Sequence, residues 1–113
     1  EAGLGGLRFV VADQGPYTLD SVRPLAADPA LRGVIDIVGM HCYSDIPLSA
    51  VPEFLAERGI DGWRTWLTEY GELDQTGEME WEAAVNSTRR LLRGLNDGAR
   101  AALVWDAYDN FHG

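Results

Sequence analysis

Glu69 closes a short apolar run, Trp63 to Thr68, and Gly71 interrupts the chain two residues later. A strand stopping there points one carboxylate out of the edge of a sheet or barrel. In that position it can attack an electrophile, join a metal centre or simply meet solvent. Asp13 and Gln14, His41 and Tyr43, and Trp105 with Asp106 each follow an apolar run in the same way. Polar residues scattered at random would not favour one end of four separate runs, so these ends are expected to converge on one site.

Rival chemistries have weaker support. Cys42 beside His41 suggests a thiol nucleophile with its base, but neighbours on a strand point to opposite faces. His41, Glu69, Asp106 and His112 include types that bind divalent ions, yet no two lie at a recognised ligand spacing, and no metal or other cofactor is expected. Gly3, Gly5 and Gly6 precede their strand, whereas a dinucleotide fingerprint needs glycines after a strand and opening a helix. Asn86-Ser87-Thr88 matches a glycosylation sequon but falls inside the best helix, which favours chance.

The elements that must position these residues follow from periodicity. Leu7 to Ala12 reads as a buried strand closed by the turn Asp13-Gln14-Gly15-Pro16. From Thr18, Leu19, Val22, Leu25 and Ala26 keep helical spacing; Pro24 fits only in a first turn, and Asp28-Pro29 ends the helix or begins a second turn. Val34 to Met40 is β-branched and nearly all apolar, the pattern of a parallel strand covered on both faces. Ser49 to Arg58 makes a short helix with Pro52 in its first turn and Gly59 after its end.

After the Trp63 to Thr68 strand, Trp81, Ala84, Val85, Thr88, Leu91, Leu92 and Leu95 trace a long amphipathic helix with Trp81 and the leucines in the core. Arg89, Arg90 and Arg93 suit its carboxyl-terminal half, and Asn96-Asp97-Gly98 stops it. Ala101 to Trp105 makes a fourth strand. The order β-α-β-α-β-α-β, with connections long enough for right-handed crossovers, predicts an α/β fold with parallel strands. In such folds ligands bind at the carboxyl ends of the strands, where the polar groups lie.

Length and composition narrow the partners. The 113 residues, 46% of them hydrophobic, suffice for one core. With 9 basic and 18 acidic residues the net charge is −9, which repels nucleic acid and anionic membranes. One cysteine, Cys42, forms no internal disulfide. The apolar runs fall well short of the ~20 residues that span a bilayer, and the glycine-rich start lacks the order of a signal peptide, so the chain reads as soluble. Beginning on Glu1 rather than methionine, it reads as a piece of a longer protein.

A strand ending in His41-x-Tyr43, a strand ending in Trp66-Leu67-Thr68-Glu69-Tyr70-Gly71, a long helix, and a strand ending in Trp105 together resemble the last four strands of a clan A retaining glycoside hydrolase. Families five, thirty and thirty-nine are the candidates. The resemblance covers nearly the whole chain and implies the carboxyl-terminal half of a (β/α)₈ barrel over residues 1–113, a closed barrel needing ~250 residues. It implies Glu69 as nucleophile, His41 or Tyr43 orienting its carboxylate, and Trp105 as an aromatic floor for a sugar, with the following peptide bond to Asp106 cis.

A retaining enzyme also needs a second carboxyl group ~5 Å from the first to protonate the leaving oxygen. In this clan it is a glutamate in an Asn-Glu-Pro-like string on the fourth strand, and the present sequence has no such string. Nothing in the spacing of Glu72, Asp45 or Asp109 makes any of them a substitute. The expectation is therefore a β-glycosidase segment, inactive alone and partnered by an amino-terminal half-barrel, or a non-catalytic half-barrel that binds sugar or self-associates through open sheet edges. The resemblance alone implies secretion.

Overall fold

The computed structural model of the protein describes residues 3–15, 18–43, 47–72 and 80–105. Its elements in chain order are β1 (Phe9–Gln14), α1 (Thr18–Ala27), β2 (Ile35–Cys42), α2 (Ala50–Glu57), β3 (Arg64–Tyr70), α3 (Glu80–Asn96) and β4 (Ala102–Val104), with short 3₁₀ turns at Leu4–Gly6 and Pro29–Leu31. The strands form one four-stranded sheet in the order β1-β2-β3-β4, and every pairing is parallel. This is the expected α/β fold: four parallel strands alternating with three helices, consistent with part of a (β/α)₈ barrel.

Local chemistry explains the helix limits. In α1, Thr18, Val22 and Ala26 recur every fourth residue and form the buried face. Pro24 lies inside this helix rather than in its first turn, so one backbone hydrogen bond is missing and burial of that face must hold the helix together. Asp28 opens the following 3₁₀ turn by accepting from the Ala30 amide at 2.9 Å. Gly59 and Gly98, both at positive φ, end α2 and α3. Ile60 N–H bonds Leu55 C=O and Ala99 N–H bonds Gly94 C=O, both at 2.9 Å, which satisfies carbonyls left over at each helix end.

The core lies between β2 and β3 and the helices over them. Val38, Met40 and Leu67 are almost wholly removed from water and meet Val22 of α1 with Val51 and Leu55 of α2. Two strands run further than their apolar runs suggest. His41 and Cys42 belong to β2, and Glu69 and Tyr70 to β3, because these residues pair with one another across the sheet.

Two expectations need correction. The first strand is not buried: among the described residues β1 pairs with β2 on one side only, and Leu7, Phe9 and Val10 stay exposed. On the opposite edge, Leu103, Val104 and Trp105 are exposed as well. Nor do Trp81 and the leucines of α3 join the core. Trp81 is 79% exposed, Leu92 and Leu95 are exposed, and the only buried residue of the helix is Gly94. Helical spacing identifies an apolar stripe but not the face that meets the sheet, and α3 packs on β3 through Gly94.

A Cβ at Gly94 would lie 2.7 Å from a terminal carbon of Leu67, whose side chain has no exposed surface into which to retreat. Gly94→Ala gains ~1 kcal/mol of helix propensity but overpacks the contact, which typically costs ~1–3 kcal/mol. Steric conflict should win, and the urea midpoint of Gly94→Ala should fall. A higher midpoint would show that α3 does not sit this close to β3.

Candidate functional site

Regular alternation would hide Glu69. Thr65 and Leu67 of β3 are buried, and the next residue in that two-residue rhythm is Glu69. The ladder shows why it escapes. Met40 pairs with Leu67, but the next residue of β2, His41, pairs with Glu69, so Thr68 is one extra residue in β3. This bulge turns the following side chains over, bringing Glu69 beside His41 while Tyr70 takes the place opposite buried Cys42.

A second irregularity lies in β1. Val11 pairs with Val38 and Gln14 with Met40, so β1 has three steps where β2 has two. Ala12 and Asp13 take up the extra length at positive φ, +69° and +27°, a region unfavourable to side chains with a Cβ. Both irregularities close over Gly39. A Cβ there would lie 3.0 Å from Asp13 Cα, from Asp13 Oδ1 and from Thr68 Oγ1 alike. The missing side chain is what lets Asp13 and Thr68 approach over the middle of the sheet.

Four side chains join in consequence. The Tyr43 hydroxyl donates to Glu69 Oε2 at 3.0 Å. His41 Nδ1 lies 3.2 Å from the same oxygen, and its Nε2 lies 3.2 Å from Asp13 Oδ1. Tyr43 also meets the His41 ring edge-on, with centroids 6.3 Å apart. The His41 side chain is 18% exposed and that of Glu69 28%, so the group forms a shelf open to solvent on one side.

A hydrogen bond from Thr68 is the main cause that holds the Asp13 carboxyl below the usual aspartate range; burial opposes it, and the hydrogen bond and charge of His41 add smaller lowering effects. Thr68 has one hydroxyl proton and two acceptors in reach, the Asp13 carboxylate and the Met40 carbonyl at 3.2 Å. The charged acceptor makes the stronger bond.

Gly71 and Glu72, directly after β3, are fastened from behind. Arg90 Nη1 of α3 donates to the Gly71 carbonyl and lies 3.1 Å from Glu72 Oε2, with its side chain 11% exposed. Arg90 thus ties α3 to the end of β3 rather than serving as a solvated charge near the helix carboxyl end. Glu72, engaged there, is no partner for Glu69.

Of the residues expected to form the site, Glu69, His41 and Tyr43 come together directly. Trp105 directly follows β4, and its amide donates to the Tyr70 carbonyl at 2.8 Å, one residue beyond Glu69; its side chain stays exposed. Asp106, with Asp45, Asp109 and His112, lies outside the described residues. Cys42 is buried on the opposite face from His41, as strand alternation requires.

Sequence reasoning placed Asp13 at the right strand end but gave it no role. The usable signal was Gly39, a glycine inside a mostly apolar strand, which marks a bulge or a close approach. Among the described residues no group of three or more His, Cys, Asp or Glu side chains could hold a metal ion. A cavity of about 590 Å³ between α2, the start of β3 and Arg100 lies at the other end of the sheet and touches none of the four side chains. Comparisons with protein-family models, with curated proteins and with solved structures find no match.

Two outcomes test this geometry. Because the Asp13 carboxyl titrates below its ordinary value, its share of stability is complete above about pH 4 and is lost as pH falls through the lowered value. The carboxyl ¹³C titration of Asp13 should therefore have a low midpoint that moves up in Thr68→Val; an unmoved midpoint would remove Thr68 as the cause. Gly39→Ala should displace Asp13 and Thr68 and change the ring signals of His41, and an unperturbed His41 spectrum would contradict the close approach.

Proposed function

We propose that these residues form the carboxyl-terminal half of a retaining β-glycosidase barrel, with Glu69 as its nucleophile. The observation that carries this reading is the meeting of the Tyr43 hydroxyl and His41 Nδ1 on one oxygen, Glu69 Oε2. Two partners on one oxygen fix the plane of the carboxylate. Oε1 has no partner among the described residues and is the atom left to react.

In the proposed step, Oε1 attacks the anomeric carbon as the bond to the leaving oxygen breaks, giving a glycosyl ester and an alkoxide that must take a proton. That proton comes from a carboxylic acid on the amino-terminal half of the barrel, since Glu72 is tied to Arg90. Water then cleaves the ester with the same acid acting as base. Trp105, beside Tyr70 at the same end of the sheet, would face the apolar side of the sugar. The substrate class, a β-linked glycan or glycoside, fits a protein that works outside the cell.

A second reading has its own support. Both edge strands expose apolar residues, Phe9 and Val10 on β1 and Leu103 and Val104 on β4. A non-catalytic half-barrel could cover these edges by self-association, or bind sugar without cleaving it.

Activated fluoroglycosides separate the readings, because a dinitrophenolate leaving group departs without a proton and so bypasses the missing acid. In the intact polypeptide a suitable 2-fluoroglycoside should form an ester on Glu69, located by peptide mass, and Glu69→Gln should take no label. Tyr43→Phe removes a hydrogen bond to a charged group, worth ~1.5–3 kcal/mol, and should slow labelling roughly tenfold to a hundredfold. Failure of a panel of pentosides and hexosides to label Glu69 would leave the non-catalytic reading.

A further inference from the structure

The Glu69 site includes a residue that the reading above leaves without a function. Asp13 reaches it at evident local expense: an extra residue in β1, two consecutive side-chain-bearing residues at positive φ, and a glycine opposite to make room. Packing does not explain this expense, because the Asp13 side chain is 60% exposed and belongs to no apolar cluster. Conformations of this kind persist where the surrounding structure enforces them, and they concentrate at functional sites.

The contact so obtained is specific. Asp13 Oδ1 meets His41 Nε2, the ring nitrogen pointing away from Glu69, while Nδ1 faces Glu69 Oε2. An imidazole held at one nitrogen alone can turn over about its bond to Cβ and put a carbon where Nδ1 was; held at both, which between two carboxylates takes an N–H on each nitrogen, it has one orientation. Tyr43 meets the ring only edge-on and would not prevent that turn. Thr68, the bulged residue just before Glu69, in turn holds the Asp13 carboxylate.

We propose that Asp13 is a positioning residue: it locks the His41 ring through Nε2 so that Nδ1 stays on Glu69 Oε2 and the opposite carboxylate oxygen stays aimed. Asp13 touches no substrate and acts only through His41. The role rests on the reading of Glu69 as nucleophile, although the lock itself is a property of three side chains.

The imidazole ¹⁵N and ¹H signals of His41, together with the rate of fluoroglycoside labelling in the intact polypeptide, test it. In the native protein and in Asp13→Asn, whose amide oxygen can still accept from Nε2, the Nε2 proton should be slow to exchange and the ring should show one orientation. Asp13→Ala should lose that protection, shift both ring nitrogens and label Glu69 at least tenfold more slowly, with near-native behaviour restored in Asp13→Asn. An Asp13→Ala protein with native ring signals and native labelling overturns the proposal. Equal slowing in both variants with unchanged ring signals also overturns it, since that is the pattern of a purely structural role. If the native protein takes no label, the nucleophile reading falls and the ring signals alone decide whether Asp13 locks His41.

Discussion

The exposure of Glu69 depends on one added residue. A strand alternates its side chains between two faces, and β3 presents Thr65 and Leu67 to the helices. Continued without interruption, that rhythm would bury Glu69 in the apolar layer, where a carboxylate has no counter-charge and a large desolvation penalty. The bulge at Thr68 reverses the phase after Leu67. Glu69 then lies against His41, and Tyr70 returns to the core beside Cys42. The bulged residue is itself a hydrogen-bonding side chain, and its one hydroxyl proton has both the carbonyl of β2 and the carboxylate of β1 in reach where the irregular ladder brings them near.

The resulting group has an unusual balance for a protein of net charge −9. Two carboxylates flank one imidazole, and a phenol hydroxyl supplies a further donor to one of them. Arg90 is turned to Gly71 and Glu72 instead of to the nucleophile candidate. The orientation of Glu69 is therefore governed by three strands, while Gly71 and Glu72 just beyond it are tied to α3. A helix that contributes only Gly94 to the core still bears on the site through this one guanidinium.

The fold was largely legible because its signals are local. Strands and helices came from periodicity, and the parallel arrangement came from the lengths of the connections. Convergence of His41, Tyr43 and Glu69 was readable because each closes an apolar run. Edge exposure was not: Leu7 to Ala12 looks like a buried strand whether it has one neighbour or two, since strand order is not written in composition. The facing of α3 was equally hidden, because a stripe of leucines shows amphipathicity without naming the surface it meets. Asp13 was missed for a subtler reason. Its role requires two bulges and a glycine on three different strands, and only their register reveals that they meet.

The positive-φ pair at Ala12 and Asp13 has a consequence for how this sequence can change. A strained residue of this kind holds back roughly 1–3 kcal/mol, a sizeable part of a small domain's margin against unfolding. A population of variants selected for heat resistance alone should accumulate glycine or asparagine at these two positions, which relax the backbone. Selected instead for what the site does, the same population should keep Asp13 and recover stability elsewhere. The bend in β1 is where robustness and performance pull the sequence in opposite directions.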